Sequence, residues 1–304
     1  MILVAGSANI DFVTRVEHIP APGETVLGQS YSVSGGGKGA NQAVACGRSG
    51  GKVSFLGALG ADSFAETLRA SLRESGVHDH SLTLELPTGA AFISVSEAGE
   101  NAITVASGAN AGLLPEHLGD LSGVTHLVMQ LEIPLRSVVA YAQAARAAGV
   151  QVVLNAAPAR ELPPELLSSV SLLVVNEGEL ASLVGPGEVR AQLRRAADLG
   201  PARVIVTLGG HGSLALDTLA QTENQPEHQY VEVPAQRVKV LDTTGAGDTY
   251  VGALVTALSE GQALPQAMHF ATTAAGLACT RAGAQPSMPT REEINRAEIE
   301  GTLP

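Results

Sequence analysis

Residues 241–249 read Leu-Asp-Thr-Thr-Gly-Ala-Gly-Asp-Thr. The segment sets an acid, Asp248, directly behind a Gly-Ala-Gly turn. Tyr250, Val251, Ala253, Leu254, Val255 and Leu258 follow at helical spacing. A glycine turn that opens onto a helix leaves backbone N–H groups without intrahelical acceptors, pointing at one spot. The aligned peptide dipoles add positive potential there, and such a spot attracts phosphate. A carboxylate beside it can take the proton of an attacking hydroxyl. An anion cradle plus a general base is the minimum equipment of a phosphotransferase.

Outward from this segment, short apolar runs alternate with alanine- and leucine-rich helical patterns. Strands are expected at Ile2–Ala5, Val53–Leu56, His126–Gln130, Val152–Asn155, Leu172–Val175, Val204–Thr207 and Ser213–Leu216. Helices are expected at Asn41–Arg48, Phe64–Ser75, Leu135–Ala148, Pro164–Val170, Glu177–Val184 and Glu188–Leu199. Strands that are almost wholly apolar are buried on both faces. Their alternation with helices predicts an α/β fold, a mostly parallel central sheet sandwiched between helical layers.

Two segments break the rhythm. Residues 12–33 carry short alternating runs around Pro20, Pro22 and Gly23. Residues 88–106 read as a hairpin, Thr88–Ser96 and Asn101–Ala106, turning through Glu97-Ala98-Gly99-Glu100. Strands without intervening helices predict a small, discontinuous β-sheet. It is too small to stand alone, so it leans on the main domain (1–11, 34–87 and 107–304) or on a second copy. The polar stretch Gln221–Gln229 is read as a surface hairpin tip.

Composition excludes several classes. The chain has 304 residues, 45% of them hydrophobic, which suits a folded protein rather than a disordered one. With 18 basic against 30 acidic residues, a net charge of −12 and no basic run, it is a poor partner for nucleic acid or anionic membrane. Cys46 and Cys279 lie far apart and form neither a disulfide framework nor a metal motif. They are read as reduced thiols of a cytoplasmic protein. Met1–Gly6 lacks a basic leader and reads as a strand, not a signal peptide. The uncharged stretch Gly261–Thr280 is too polar to span a bilayer.

Further clusters fall near strand ends. Gly35-Gly36-Gly37-Lys38-Gly39-Ala40-Asn41-Gln42 fails the P-loop pattern, because Gly39 stands where Ser or Thr should follow the lysine. Its match to a dinucleotide fingerprint lacks a βαβ unit. A plain loop at a helix start is the bland alternative, although Asn41 offers a donor and an acceptor to sugar hydroxyls. Asn9 and Asp11 follow the first strand, where open sheets bind ligands; a turn or cap is equally open to them. Glu132 follows a buried strand, as does Asn176-Glu177-Gly178-Glu179. Glu179 suits the outer shell of a hydrated Mg²⁺, or else Glu177 and Glu179 are first-turn acids favoured by the helix dipole. Thr207-Leu208-Gly209-Gly210-His211-Gly212 lets backbone pass close over a flat ligand, or is a tight turn. Arg281-Ala282-Gly283-Ala284-Gln285-Pro286-Ser287 is a loop of carbonyls suited to a monovalent cation, as many irregular loops are. His78, Asp79 and His80 read as a solvated loop rather than a metal site.

Together these motifs resemble the ribokinase-like family of carbohydrate kinases. The match runs from Gly6–Asp11 to Gly283–Ser287, with Gly36–Asn41 and Asp242–Asp248 as its two signatures. Gly36–Ala45, Met129–Glu132 and Asn155–Pro163 point, within the family, to its ribose-phosphorylating members. The resemblance implies a three-layer α/β/α fold with a β-sheet lid that also makes a homodimer contact. It implies ATP-dependent phosphorylation of D-ribose at the 5-hydroxyl, in ribose catabolism. Asn9, Asp11, Gly37, Lys38, Gly39, Asn41, Glu132 and Asp248 would hold the sugar. Asp248 would be the base, with the N–H groups of Gly245, Ala246 and Gly247 as the anion hole. Asn176, Thr207, Gly209, Gly210, Gly212, Gly247 and Thr272 would contact ATP, with Thr272 near the adenine. Asn176 and Glu179 would lie near Mg²⁺ through water. Asp242, Thr244, Ala278, Arg281, Gly283 and Ser287 match a K⁺ site built mostly of main-chain carbonyls, which orders the anion-hole loop. The chain departs from the family at Ala156, where proline is common, and at Thr272, where Asn or His is common. Other readings are a deoxyribokinase, fructokinase or ketodeoxygluconate kinase, or a non-catalytic ribose- or nucleotide-binding protein. Dinucleotide-dependent oxidoreduction rests only on the Gly35–Ala40 match.

Overall fold

The structure, a computed structural model, describes residues 1–220 and 229–301. Of the expected hairpin tip, residues 221–228 lie outside the described residues. The first half of the chain forms β1 (Ile2–Ala5), β2 (Asn9–Val16), β3 (Ser30–Gly36), α1 (Lys38–Arg48), β4 (Val53–Leu56), β5 (Ala58–Gly60), α2 (Ser63–Glu74), β6 (His78–Asp79), β7 (Leu82–Leu84), β8 (Gly89–Ser96) and β9 (Asn101–Ala106). Then come β10 (His126–Met129), α3 (Leu135–Ala147), β11 (Gln151–Asn155), α4 (Pro164–Leu167), β12 (Leu172–Asn176), α5 (Glu177–Val184) and α6 (Val189–Asp198). The chain ends with β13 (Arg203–Thr207), β14 (Ser213–Asp217), β15 (Gln229–Val233), α7 (Ala246–Ser259), α8 (Leu264–Cys279) and α9 (Arg291–Glu300).

The main sheet runs in the order β15-β14-β13-β12-β11-β10-β1-β4-β6. It is parallel from β6 to β13, and β14 and β15 join antiparallel. Its strands are buried on both faces, as expected. In β1, Ile2 and Val4 face a layer that includes α1, α2, α7, α8 and α9, while Leu3 and Ala5 face α3 to α6. Each fully buried leucine or isoleucine in these layers contributes about 1.5–3 kcal/mol relative to exposure.

Helix α7 is buried on nearly every side, Tyr250 through Ala257 without a break, so its apolar residues are not confined to one stripe. Gly252 lies against α1: a Cβ there would collide with that of Ala45 and come within 2.8 Å of the Cys46 nitrogen. This close approach holds α7 alongside α1, with Asp248 opposite Asn41 and Gln42.

The small sheet has the order β3-β2-β8-β9. It begins earlier and ends later than the 12–33 boundary expected, because Asn9–Asp11 continue β2 and pair with Ser34–Gly36 of β3. The sheet leans on the main domain through Phe12, whose ring meets that of Phe64 edge-on at 5.6 Å and stacks on Phe92 at 5.3 Å. Tyr31, Val33, Phe92, Ile103 and Val105 remain exposed on it. Among the described residues no helix is long and apolar enough to cross a membrane.

Candidate active site

Strand order reverses at β1, which lies between β10 and β4 although it comes first in sequence. Ligands bind outside the carboxyl ends of strands at such a switch point. Asn9 and Asp11 follow β1, Glu132 follows β10, Asn176 ends β12 and Thr207 ends β13. The topology thus brings together residues scattered over most of the chain.

Asp248 sits in the first turn of α7 and is only 8% exposed. Asn41 Nδ2 donates to its Oδ2 at 3.0 Å, and Gln42 Nε2 donates to its Oδ1 at 2.9 Å. Both donors come from the N-terminal half of α1, which Gly252 allows to lie alongside. The amides are themselves held. Gln285 Nε2 donates to Asn41 Oδ1 at 3.0 Å, and Ser71 donates to Gln285 Oε1 at 2.6 Å. Gln42 also donates to Asn155 Oδ1 at 3.0 Å and accepts from Gln130 Nε2 at 2.6 Å. The carboxylate therefore has one orientation, set by a buried chain of amides.

Asp11 approaches the same centre from β2. Its carboxylate occupies the space a side chain on Gly36 would need. Burial, then the charges of Glu132 and Asp248, push the Asp11 carboxyl up to about 7. Glu132 accepts from Ser7 Oγ at 2.5 Å and from the Lys38 N–H at 3.0 Å, so it caps α1 as well as facing the site. Burial lowers the Lys38 ammonium, but Asp248, Glu132 and Glu179 outweigh it and leave it above the usual lysine value. The buried Asn9 side chain accepts from Asn110 Nδ2 at 2.7 Å. Gly37 and Gly39 approach backbone, not only ligand space: Cβ atoms there would lie 2.7 Å from the Asn9 nitrogen and 2.6 Å from the Ser7 nitrogen. The loop joins β3 of the small sheet to α1; β1, α1 and β4 form a parallel crossover, but β2 and β3 are inserted in it, so the loop does not follow a main-sheet strand.

At the start of α7, Gly245 adopts φ 74° and rests above Ala284. The N–H groups of Gly245, Gly247 and Asp248 have no acceptor among the described residues, whereas Ala246 donates to the Thr243 carbonyl at 3.2 Å. Ala246 is thus occupied where the motif alone suggested a free donor. The space over Gly247 is open. It leads into a cavity of about 250 Å³ between the β13–β14 turn, the segment after β15, and helices α7 and α8. Thr207, Gly209, Gly210, Gly212, Gly247 and Thr272 line it. The glycine-rich stretch is therefore both a tight turn between antiparallel strands and a wall of the cavity.

Asn176 and Glu179 form a reciprocal cap on α5: Asn176 N donates to Glu179 Oε2 and Glu179 N to Asn176 Oδ1, both at 2.8 Å. Glu177 and Glu179 both stand in the first turn of α5, and Glu179 is in addition close enough to feel Lys38 and Asp248. Burial raises its carboxyl, opposed by the Asn176 N–H and Lys38, with Asp248 raising it further. Among the described residues no three His, Cys, Asp or Glu side chains converge as a metal cluster.

Beneath the Gly-Ala-Gly turn, Asp242 Oδ1 accepts from the Thr244 N–H (2.9 Å) and hydroxyl (2.6 Å), and Oδ2 accepts from Gly283 N (2.8 Å). Asp242 thus ties the 281–287 loop to the turn. The Ala278 carbonyl accepts from Arg281 N at 3.1 Å. The Arg281 guanidinium turns to Glu293 at 2.6 Å. The fully buried Ser287 hydroxyl donates to Ala284 O at 2.8 Å. Six candidates thus meet around one loop, with Arg281 able to offer it only main chain.

Sequence reading missed Gln42, Gln130, Asn155 and Gln285 as site residues. Their signal was present: amides interrupting apolar strands and helices, which when buried need partners.

Residues 1–291 match the pfkB family of carbohydrate kinases. The chain is 38% identical to a ribokinase of Haemophilus influenzae, over 96% of each chain. The solved ribokinase of Thermotoga maritima superimposes with a TM-score of 0.88 at 35% identity, covering 98% of this chain and 99% of that one. The Arabidopsis thaliana ribokinase in complex with ribose and ATP also gives 0.88, at 32% identity over 97% of each chain. A buried acid at the head of a glycine-capped helix and a full-length match lead to the same place: the chain belongs to the pfkB family of carbohydrate kinases.

Proposed function

We propose that this protein transfers the γ-phosphoryl group of ATP to the 5-hydroxyl of D-ribose, giving D-ribose 5-phosphate and ADP. One observation carries the reading: a carboxylate oriented by Asn41 and Gln42 stands beside unpaired N–H groups at the start of α7, between a polar pocket and a cavity. Asp248 takes the proton of the attacking hydroxyl. The N–H groups of Gly245 and Gly247 stabilise charge on the transferring group, which is the greater part of what phosphoryl transfer needs. Asp11, Asn41, Glu132 and the residues around Gly37–Gly39 hold the sugar, with Asn9 supporting from behind. Thr207, Gly209, Gly210, Gly212 and Thr272 surround the nucleotide.

Asn176 and Glu179 offer hard oxygen donors that fit a hydrated Mg²⁺, which usually keeps several waters; Asn176 Oδ1 and Glu179 Oε2 are engaged in the cap, and water would bridge them to the ion. When bound with ATP, Mg²⁺ neutralises charge on the phosphate oxygens. The side-chain and main-chain oxygens that Asp242, Thr244, Ala278, Arg281, Gly283 and Ser287 can offer fit K⁺, which would stiffen the loop under Gly245. The small sheet (12–33 and 88–106 with its flanks) serves as a lid that excludes water. Its exposed apolar residues support a homodimer contact, and two unpaired cysteines support a cytoplasmic setting.

A coupled ADP-release assay over ribose, 2-deoxyribose, fructose, ketodeoxygluconate and adenosine, with K⁺ or Na⁺, tests the reading. Ribose should give the highest kcat/KM, and turnover should fall when Na⁺ replaces K⁺. Preference for another sugar selects a different kinase of the family; no ADP release with any sugar selects a binding protein. Unchanged kcat and KM in Na⁺ would remove the cation assignment. Gly36→Ala is expected to raise the ribose KM about tenfold, as displacing the Asp11 carboxylate costs on the order of 1–3 kcal/mol of overpacking. A wild-type KM in that variant would mean Asp11 is free to move without loss.

A further inference from the structure

The cavity between α7, α8 and the segment after β15 holds two buried oxygens with no hydrogen-bond partner, Gln236 Oε1 and Thr272 Oγ1. Leaving such groups unpaired in a buried site is costly, so a ligand that pairs them gains correspondingly. Each is held in an unusual state. Gln236 Nε2 donates to Thr273 Oγ1 at 2.8 Å, which leaves the amide oxygen as the free end. A helical threonine commonly returns its hydroxyl to the carbonyl four residues back, yet Thr272 makes no such bond.

The rest of the lining limits what can bind. Val238, Ala275 and Gly276 supply small apolar surfaces suited to a flat ring. Gly247, with its unpaired N–H, also lines the cavity. A planar heterocycle joined to phosphates matches this combination of apolar wall and free donors.

We propose that Gln236 and Thr272 read the six-position edge of the purine, and that Gln236 selects adenine over 6-oxopurines. The inference rests on the reading that the nucleotide occupies this cavity. Gln236 Oε1 is an acceptor only and pairs with the 6-amino group of adenine. Thr272 can then donate to the adjacent ring nitrogen, N1. Hypoxanthine and guanine reverse both groups: a carbonyl replaces the amine and an N–H replaces the lone pair. Their 6-oxygen would face Gln236 Oε1, acceptor against acceptor, with both desolvated.

The test compares kcat/KM for ATP, ITP and GTP as phosphoryl donors in wild type, Gln236→Leu and the isosteric Thr272→Val. ITP isolates the six-position, because it lacks the 2-amino group of GTP. Wild type should prefer ATP over ITP by roughly 10–100-fold, the range of one or two hydrogen bonds in a buried site. Gln236→Leu should shrink that ratio about tenfold, chiefly through the nucleotide KM, whereas Thr272→Val should weaken both nucleotides alike, because a hydroxyl donates to N1 of adenine and accepts from N1–H of hypoxanthine; the sugar KM reports an intact fold. Calorimetric titration with ADP and IDP should show the same loss of discrimination without turnover. An ATP:ITP ratio within twofold of wild type in Gln236→Leu would overturn the proposal, with the kinase reading intact. If no nucleoside triphosphate supports phosphorylation of any sugar, the kinase reading itself falls and the proposal with it.

Discussion

Asp248→Asn is expected to lower kcat by roughly two to four orders of magnitude, the range for loss of a positioned general base. The substitution keeps the shape of the side chain and removes its ability to take a proton. It also sets an amide N–H₂ against one of two donors, because Asn41 Nδ2 and Gln42 Nε2 each address one carboxylate oxygen. Stability should therefore fall as well, by about 1–3 kcal/mol for one unsatisfied buried group. The two effects separate experimentally. Thermal unfolding reports the second, while single-turnover kinetics at saturating ATP and ribose report the first. Turnover near wild type, in a variant that still binds ribose, would remove Asp248 from the chemistry.

Asp11→Asn carries the second large effect. If the carboxylate accepts hydrogen bonds from two sugar hydroxyls, each worth about 1.5–3 kcal/mol when one partner is charged, kcat/KM for ribose should drop on the order of a hundredfold or more. The nucleotide KM should barely move. A pH dependence follows from the environment of Asp11, whose carboxyl is raised to about 7 by burial, Glu132 and Asp248. Below pH 7 the free enzyme carries a proton there, and the sugar must displace it. The ribose KM should therefore fall as pH rises from 6 to 8, and Asp11→Asn should flatten that slope. Stability runs the other way. Between 3.8, the ordinary value, and about 7 the folded chain holds a proton the unfolded chain has lost, so Asp11 removes stability as pH rises through that window. Asp11→Asn should gain stability over wild type at pH 8. A variant both less active and less stable there would contradict this account.

The main-sheet strands and the helices among them were legible in sequence because burial on both faces requires unbroken apolar runs, as in Ile2–Ala5 and Val204–Val206. The Gly-Ala-Gly-Asp turn was legible because a glycine in left-handed backbone, Gly245, must precede the helix. Boundaries of the small sheet were not. Asn9–Asp11 lack a strand-like pattern, and only pairing with Ser34–Gly36 makes them one. The amides around Asp248 were also hidden, because a polar residue in an apolar helix declares a need for a partner without naming it. Gln42 and Asn155 lie far apart in sequence, and the partner is decided by which helices touch.

From its sequence alone, the protein's layers, the glycine turn that opens α7 and the acid behind it were determined, since each depends on local periodicity or on one residue's conformational freedom. Tertiary structure alone decided what orients that acid and which polar groups stand unpaired in the neighbouring cavity. The close approach of α7 to α1 at Gly252 aims Asp248 through Asn41 and Gln42. The packing of α8 against the segment after β15 leaves Gln236 Oε1 and Thr272 Oγ1 buried and unpaired in one cavity. Both are consequences of contact between segments distant in the chain, and a hydrogen bond depends on where two atoms meet rather than on where their residues stand in order.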